Sequence, residues 1–219
     1  MSEIEQFALD ILNQKELQLA NHLYFLLSDD KWDAGPLVGE ILPVYWEKVG
    51  DRAQNCHPVN IYRPLNYIHV WSDRGEFKDS TRAYMDVISG HIEGCLQNLL
   101  KLPTQGRAMS RAFGPAVAQL KKQKILPVEL AEQLWRFNNV INVPAKHFGA
   151  YAPTNWLDER TFSGLETVCA IIIMRKLSMQ LFALLKANGV HLSQEWPEFK
   201  DEWLSWIREF NNTQDTNDI

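Results

Sequence analysis

The sequence predicts an all-α fold, a helical bundle with a small irregular or short-strand insertion near residues 56–75. Three observations support this prediction. Apolar residues recur at intervals of three and four along most of the chain, as the buried face of a helix requires. A capping-box pattern, Ser163 followed by Glu166, opens a long apolar segment. Strand-like composition is confined to residues 66–71, which are mostly aromatic or β-branched.

The pattern of the N-terminal third of the sequence predicts short helices that are separated by turn signals. Residues 3–28 place leucine, isoleucine and phenylalanine at helical spacing, which indicates one amphipathic helix or a helix pair. A further short helix is expected from Pro36 to about Val49, with Pro43 breaking or kinking it. The segment 56–75 then forms the expected crossover to the main bundle.

The apolar pattern in the middle of the sequence predicts the longest amphipathic helix of the chain. Residues 77–101 carry one continuous apolar stripe, and Gly90 and Gly94 indicate a close approach to another helix. Residues 115–124 are expected to form a short helix with a basic end. Pro127 then suits the first turn of the next helix. The expected buried face of that helix consists of Leu130, Leu134, Phe137 and Ile141.

Two further helices are expected near the C-terminus. The first begins at the capping box, runs to about Ala187 and stops at Gly189. Residues 168–174 are apolar on all sides, so this helix is expected at the centre of the bundle. The last helix, about 194–210, would either dock on the bundle or expose an aromatic stripe to a partner chain. Its tryptophans are Trp196, Trp203 and Trp206.

The predicted organisation has three regions. Residues 1–75 form an N-terminal helical subdomain with the crossover, residues 76–211 form the main helical bundle, and residues 212–219 are a frayed polar tail. A chain of 219 residues suits one large domain or two small ones.

Composition excludes several classes of protein. Charged residues make up 22% of the chain, which excludes disorder for its bulk, and a net charge of −5 argues against a broad basic surface for duplex DNA. Three widely spaced cysteines predict neither a disulfide framework nor a zinc ribbon. Neither a signal peptide nor a membrane helix is expected, and no cofactor is predicted, so the expected location is cytoplasmic.

One short segment concentrates groups that bind phosphate or move a proton. Arg136, Asn139 and Asn142 lie off the predicted buried face, and Pro144 is expected to kink or end the helix. Lys146 and His147 would project just beyond it. One short segment therefore contains a guanidinium, amides, an ammonium and an imidazole. The alternative interpretation is a solvated helix end, whose basic pair complements the helix dipole.

Residues 142–147, followed by 161–177, resemble the HEPN superfamily, whose helical domains often end a helix with an Arg-Asn motif and a following histidine. Residues 84–93 look similar to the earlier glutamate-bearing helix of that family, so the likeness covers roughly 78–187. The resemblance implies a homodimer with a composite RNA-binding site, in which His147 matches the histidine and Asn142 the asparagine. The arginine position holds Ile141, so another cation would have to replace it, and the candidates are Arg136 and Lys146.

Three functions are therefore open. The first is an RNA- or nucleotide-phosphate-binding dimer, such as one of an antiviral defence or toxin–antitoxin system, with Asn139 and Asn142 as ligand-binding residues. The second is a non-enzymatic adaptor that binds a partner protein through the C-terminal tryptophans or the Gly90/Gly94 surface. The third is a divergent, metal-independent endoribonuclease with His147, Lys146 and Arg136 as catalytic residues.

Overall fold

The computed structural model describes residues 1–28, 34–43, 59–72, 77–101, 112–146 and 162–205. Within these ranges the secondary structure is helical and contains no strand, so the all-α prediction is confirmed. The helices are α1 (Glu3–Ile11), α2 (Gln14–Ser28), α3 (Gly35–Ile41), α4 (Val59–Ser72), α5 (Phe77–Lys101), α6 (Phe113–Lys122), α7 (Val128–Phe137), α8 (Val143–Lys146) and α9 (Gly164–Ala187). A π-helical segment, Asn138–Asn142, joins α7 to α8, and a 3-10 turn spans Asp201–Leu204.

Helices α1 and α2 are a pair because each has its own capping box. The Ser2 hydroxyl accepts the Glu5 N–H at 3.2 Å, and the Glu5 carboxylate accepts the Ser2 N–H at 3.1 Å. Asn13 and Glu16 exchange the same two bonds at 2.9 and 2.8 Å. The chain is extended at Leu12, between the two caps, and both helices pack against α9.

Helix α9 forms the centre of the bundle, as its all-apolar sequence predicts. Ser163 and Glu166 exchange capping bonds at 3.1 and 2.8 Å, which confirms the predicted start. Residues 168–174 are all buried, and α1, α2, α5 and α7 pack around the helix. The chain leaves α9 at Gly189, whose φ of +78° lies in the left-handed region that favours glycine.

The insertion expected near residues 56–75 is a helix over its described part, so the strand or irregular prediction is wrong there. Ile61, Leu65 and Ile68 are completely buried at helical spacing, which places one face of α4 against α5. Pro64 lies inside α4, with its Cγ 3.8 Å from where a Cβ on Gly90 would stand. The close approach predicted for Gly90 is therefore to α4.

The helical path after Pro127 continues through Pro144 to Lys146, so of the two predicted outcomes, a kink or an end at Pro144, the end is wrong. The irregularity lies upstream, where the Val143 N–H donates to the Asn138 carbonyl five residues earlier. Because proline has no N–H to donate, a change of hydrogen-bond register just before Pro144 is compatible with the missing bond. The predicted buried face is confirmed, since Leu130, Leu134, Phe137 and Ile141 are buried.

The prediction of a last helix at about 194–210 is wrong over the N-terminal part that the structure describes. Residues 194–200 have no regular structure, and only the short turn Asp201–Leu204 is helical. Pro197 lacks an N–H and disfavours helical backbone at Trp196, which explains the extended path. Trp196 and Trp203 are buried, so neither belongs to an exposed aromatic stripe. Residues 206–210 lie outside the described residues.

Residues on both sides of position 75 contribute to one hydrophobic core, which includes Ile4 and Trp203. The division into a subdomain 1–75, a bundle 76–211 and a tail 212–219 stays a prediction. Helix Gly164–Ala187 is long and apolar enough to cross a membrane, but 72% of its most apolar window is buried inside the protein, as in the core helix of many soluble proteins.

Candidate functional site

The polar segment singled out by the sequence runs along the π-helix and α8, which pack against α5. Phe137 and Ile141 are completely buried and fix this segment in the core. Ile141, which the sequence resemblance aligns with an arginine, is completely buried, and its side chain contributes to packing alone.

The asparagines of the π-helix form a short chain of amide hydrogen bonds. The Asn138 amide donates to Asn139 Oδ1 at 3.3 Å, and the Asn142 amide donates to Asn138 Oδ1 at 3.0 Å. Asn142 is 2% exposed, and its Oδ1 has no hydrogen-bond partner. Asn139 lies at the exposed end of this chain. The two predicted ligand-binding residues are thus linked through Asn138, and one of them faces the interior.

Arg136 is engaged by α1. Its Nη1 donates to Asp10 Oδ2 at 2.6 Å, and its guanidinium lies 4.8 Å from the centre of the Phe7 ring. The hydrogen bond from Arg136 holds the pKa of the Asp10 carboxyl below its usual value. The guanidinium therefore already has a carboxylate partner and an aromatic partner within the chain.

Lys146 is engaged by α5, where its ammonium pairs with the Glu93 carboxylate. Beside this pair, Arg82 Nη2 donates to the carbonyl of Ala145 at 3.2 Å. Partial burial raises the pKa of the nearby Asp86 carboxyl, although the charges of Arg82 and Lys146 oppose that shift. Two contacts therefore join the end of α8 to α5, the ion pair of Lys146 with Glu93 and the hydrogen bond from Arg82 to the Ala145 carbonyl.

The two predicted cations do not converge. Arg136 and Lys146 are separated by about 15 Å along the helix axis and contact different helices, α1 and α5. His147 lies outside the described residues, so its predicted catalytic role stays a prediction. Within the described part of the segment, the structure brings together Asn139 and Asn142 but not the two basic side chains.

A second group of polar residues, which the sequence did not reveal as a unit, lies between α5 and α9. His91 is completely buried, with its Nδ1 2.5 Å from the carbonyl oxygen of Ile61 and its Nε2 2.7 Å from the hydroxyl of Ser178. A carbonyl only accepts, so Nδ1 carries the proton and Nε2 accepts the Ser178 hydroxyl. The helical stripe predicted that His91 faces inward, but the serine stands 87 positions away in sequence.

The His91–Ser178 pair has the polarity of a base beside a hydroxyl nucleophile, but it is sealed from solvent. Both residues are completely buried, and the rings of Trp196 and Phe182 lie 5.7 and 6.1 Å from the imidazole. Burial lowers the pKa of His91 to about 4 and raises the pKa of the Cys95 thiol beside it. The pair therefore acts as an internal hydrogen-bond bridge between α4, α5 and α9.

The described residues contain no group of three or more His, Cys, Asp or Glu side chains arranged to hold a metal ion. No family model, curated protein or solved structure matches this chain. What the described geometry shows is an all-α helical bundle in which the asparagines of the motif bond one another and its two cations pair with carboxylates on α1 and α5.

Proposed function

We propose that this chain is a non-enzymatic helical module that acts through contacts with other protein chains. The observation that supports this best is the pairing of both candidate cations, Arg136 with Asp10 and Lys146 with Glu93. Phosphate binding gains free energy when unneutralised basic side chains replace the counterions of the nucleic acid. A cation already paired with a carboxylate is partly neutralised, so it gains less free energy from a phosphate.

The burial of Asn142, one of the two predicted ligand-binding amides, supports the same proposal. Asn142 is 2% exposed, so its side chain does not reach a ligand on the surface without movement of the π-helix. The remaining base-and-hydroxyl pair, His91 and Ser178, is closed to any substrate in this conformation. The HEPN-like function that the resemblance implies, RNA binding by a dimer, stays a prediction, and the nuclease function would depend on His147.

The experiment measures binding and cleavage of RNA in the same preparation. We expect fluorescence anisotropy with labelled single-stranded and duplex RNA to show no binding up to about 100 µM protein at physiological salt. Incubation of the RNA with EDTA present is expected to yield no cleavage products. The variants Lys146→Ala and Arg136→Ala should behave like the parent chain in both assays.

Either of two results would contradict the proposal. Saturable RNA binding that is lost in Lys146→Ala would assign the α8 end to nucleic acid. Metal-independent cleavage that is lost in His147→Ala, with an unchanged circular dichroism spectrum, would assign a nuclease.

A further inference from the structure

On the side of α4 away from its buried residues, an arginine and two aromatic rings lie in a row. Arg63 and Tyr67 are exposed, and Trp71 is partly buried. Because these residues follow one another at intervals of four, they form one ridge along the helix surface. Tyr67 lies in the middle of this ridge, with Arg63 about one turn before it and Trp71 about one turn after it. Arginine, tyrosine and tryptophan are the residue types that most often dominate the binding energy of protein interfaces.

The core holds the two rings of the ridge in place. Tyr67 stacks on Trp71, with ring centres 5.7 Å apart and an angle of 27° between the ring planes. Trp71 packs edge-on against Tyr84 at 5.4 Å, and Tyr84 is completely buried. Tyr67 nevertheless keeps 44% of its surface exposed. An exposed aromatic side chain that is already fixed loses little conformational entropy on binding, which favours a role in recognition.

Arg63 is the cation of the ridge, and no group in the described part of the chain engages it. Its guanidinium makes neither a hydrogen bond nor an ion pair there, and no aromatic ring lies within cation–π distance of it. Arg136 and Lys146, by contrast, each pair with a carboxylate of their own chain. Arg63 can therefore bind a group outside the chain without giving up a partner.

The ridge contains both halves of a cation–π pair, which a single α4 cannot join. A guanidinium is attracted to the face of a tyrosine or tryptophan ring within about 6 Å of the ring centre. Arg63 and Trp71 are separated by about 12 Å along the helix axis, so they do not meet within one helix. Because both stand at the same distance from Tyr67, a second, antiparallel α4 places each Arg63 opposite the Trp71 of the other chain.

We propose that this ridge is a dimer interface, in which the α4 helices of two copies of the chain pack antiparallel about a twofold axis at Tyr67. Such an interface is isologous: the two Tyr67 rings meet at the axis, and each Arg63 lies over the Trp71 ring of the other copy. Residues 59–72 include no Asp or Glu, so no carboxylate of α4 competes for Arg63. The inference deepens the proposed function and rests on it, because it names a second copy as one of the protein chains that the module contacts.

The charge of α4 favours a protein partner over a nucleic acid. Affinity for a phosphate backbone grows with the number of phosphates that Lys and Arg side chains neutralise. Arg63 is the only Lys or Arg in residues 59–72, and the net charge of the whole chain is −5. One cation beside two rings matches the cation–π geometry of the twofold interface better than a run of phosphates.

The first test measures the oligomeric state of the full chain by sedimentation velocity, from about 10 to about 500 µM protein. The ridge makes a small interface, so we expect a weak dimer with a dissociation constant on the order of 100 µM. Arg63→Glu should weaken this dimer at least about tenfold, because the ring faces repel a carboxylate, and Arg63→Lys should weaken it less. The matched control, Trp135→Ala, changes an exposed tryptophan of α7 and should leave the dimer unchanged.

The second test locates the interface by photo-cross-linking. Replacement of Tyr67 by p-benzoylphenylalanine keeps an aromatic ring at the centre of the ridge and joins it to neighbouring side chains under ultraviolet light. The expected product is a covalent dimer in which both joined peptides come from α4. The same replacement at Trp135 is the control and should give no covalent dimer.

Any of four results would overturn the inference. These are a chain that stays monomeric at about 500 µM, a dimer that Arg63→Glu does not weaken, cross-links from position 67 that map outside α4, and a monomer that binds RNA through Arg63. A monomer that binds no RNA would overturn this inference and leave the proposed function standing. RNA binding that is lost in Lys146→Ala, with the α4 dimer intact, would do the reverse, so the two proposals fail separately.

Discussion

At the scale of single residues, the His91 imidazole makes the stability of the fold depend on pH. Its burial without a carboxylate partner depresses its pKa from 6.5 to about 4. The folded state therefore binds its proton less readily than the unfolded state does, and the stability present above pH 6.5 is lost as pH falls toward 4. Burial lowers the pKa of His22 as well, which adds a loss of the same sign.

We expect the free energy of unfolding in urea to fall by about 3 kcal/mol between pH 6.5 and pH 4 through His91 alone. His91→Gln should flatten this dependence while lowering stability at pH 7, because Ser178 and the Ile61 carbonyl lose their partner. The matched control, His191→Gln, changes an exposed imidazole and should leave the stability at pH 7 nearly unchanged. An unaltered slope in His91→Gln would show that other groups cause the acid sensitivity.

Gly164 gives a second prediction at this scale. A Cβ there would stand 2.9 Å from Tyr24 and 3.1 Å from Phe77, and the Phe77 ring is buried. Gly164→Ala should therefore lower the free energy of unfolding by about 1–2 kcal/mol, measured by urea denaturation. The control, Gly39→Ala, meets nothing within 4 Å in α3 and should raise stability by about 0.5–1 kcal/mol. Equal effects of the two substitutions would contradict the close contact.

At the scale of elements, Arg175 joins three parts of the chain. It bonds the carbonyl of Ile41 at the end of α3 and that of Pro197, and its guanidinium faces Trp203. Helix C-termini leave carbonyls without intrahelical donors, so a buried cation there satisfies one of them. Burial lowers the pKa of this guanidinium, and Glu16 opposes the shift.

Arg175→Met should destabilise the chain by about 3 kcal/mol, because two carbonyls lose their donor. Hydrogen exchange followed by mass spectrometry should show faster exchange in residues 190–205 and in α3, with α7 unchanged. Lys186→Met, which removes an exposed pair with Glu195, is the control and should change exchange little. Equally faster hydrogen exchange over the whole chain would contradict a local role of Arg175 in holding α3 and residues 190–205.

The elements that the sequence predicts well are those fixed by local patterns. The bounds of α5 and the capping box of α9 follow from an apolar stripe and from Ser163 with Glu166, and both are confirmed. Residues 66–71 have strand-like composition, yet burial of one helical face against α5 determines their structure. Pro197 disfavours a helix at Trp196, but where this irregular segment lies on the bundle depends on contacts with Arg175 and Tyr62, which no local pattern contains.

The candidate site was predictable only in part. The sequence placed Asn139 and Asn142 off the apolar face, but it did not show that Asn142 turns inward through a π-helical register. The partners of Arg136 and Lys146, Asp10 and Glu93, lie on helices distant in sequence. Pairings of this kind follow from tertiary packing, and spacing within one segment does not reveal them.

At the scale of the whole molecule, the core runs without a break from α1 and α2 through α9 to Trp203. We therefore expect unfolding in urea to be one cooperative transition, with coincident curves from circular dichroism and tryptophan fluorescence. Two separated transitions would contradict the single core and favour an independent unit before residue 75. Residues 190–205 should unfold within the same transition, since Trp196 and Trp203 belong to the core.

The proposed function also requires that the Asn142 amide serve the interior of the chain. The most direct measurement is the side-chain amide resonance of Asn142, recorded by heteronuclear NMR with and without RNA, with exposed Asn139 as the internal reference. We predict slow exchange with solvent at Asn142 and no shift when RNA is added. A rapidly exchanging Asn142 amide that shifts in a saturable manner with RNA, while the fold stays intact, would contradict the account.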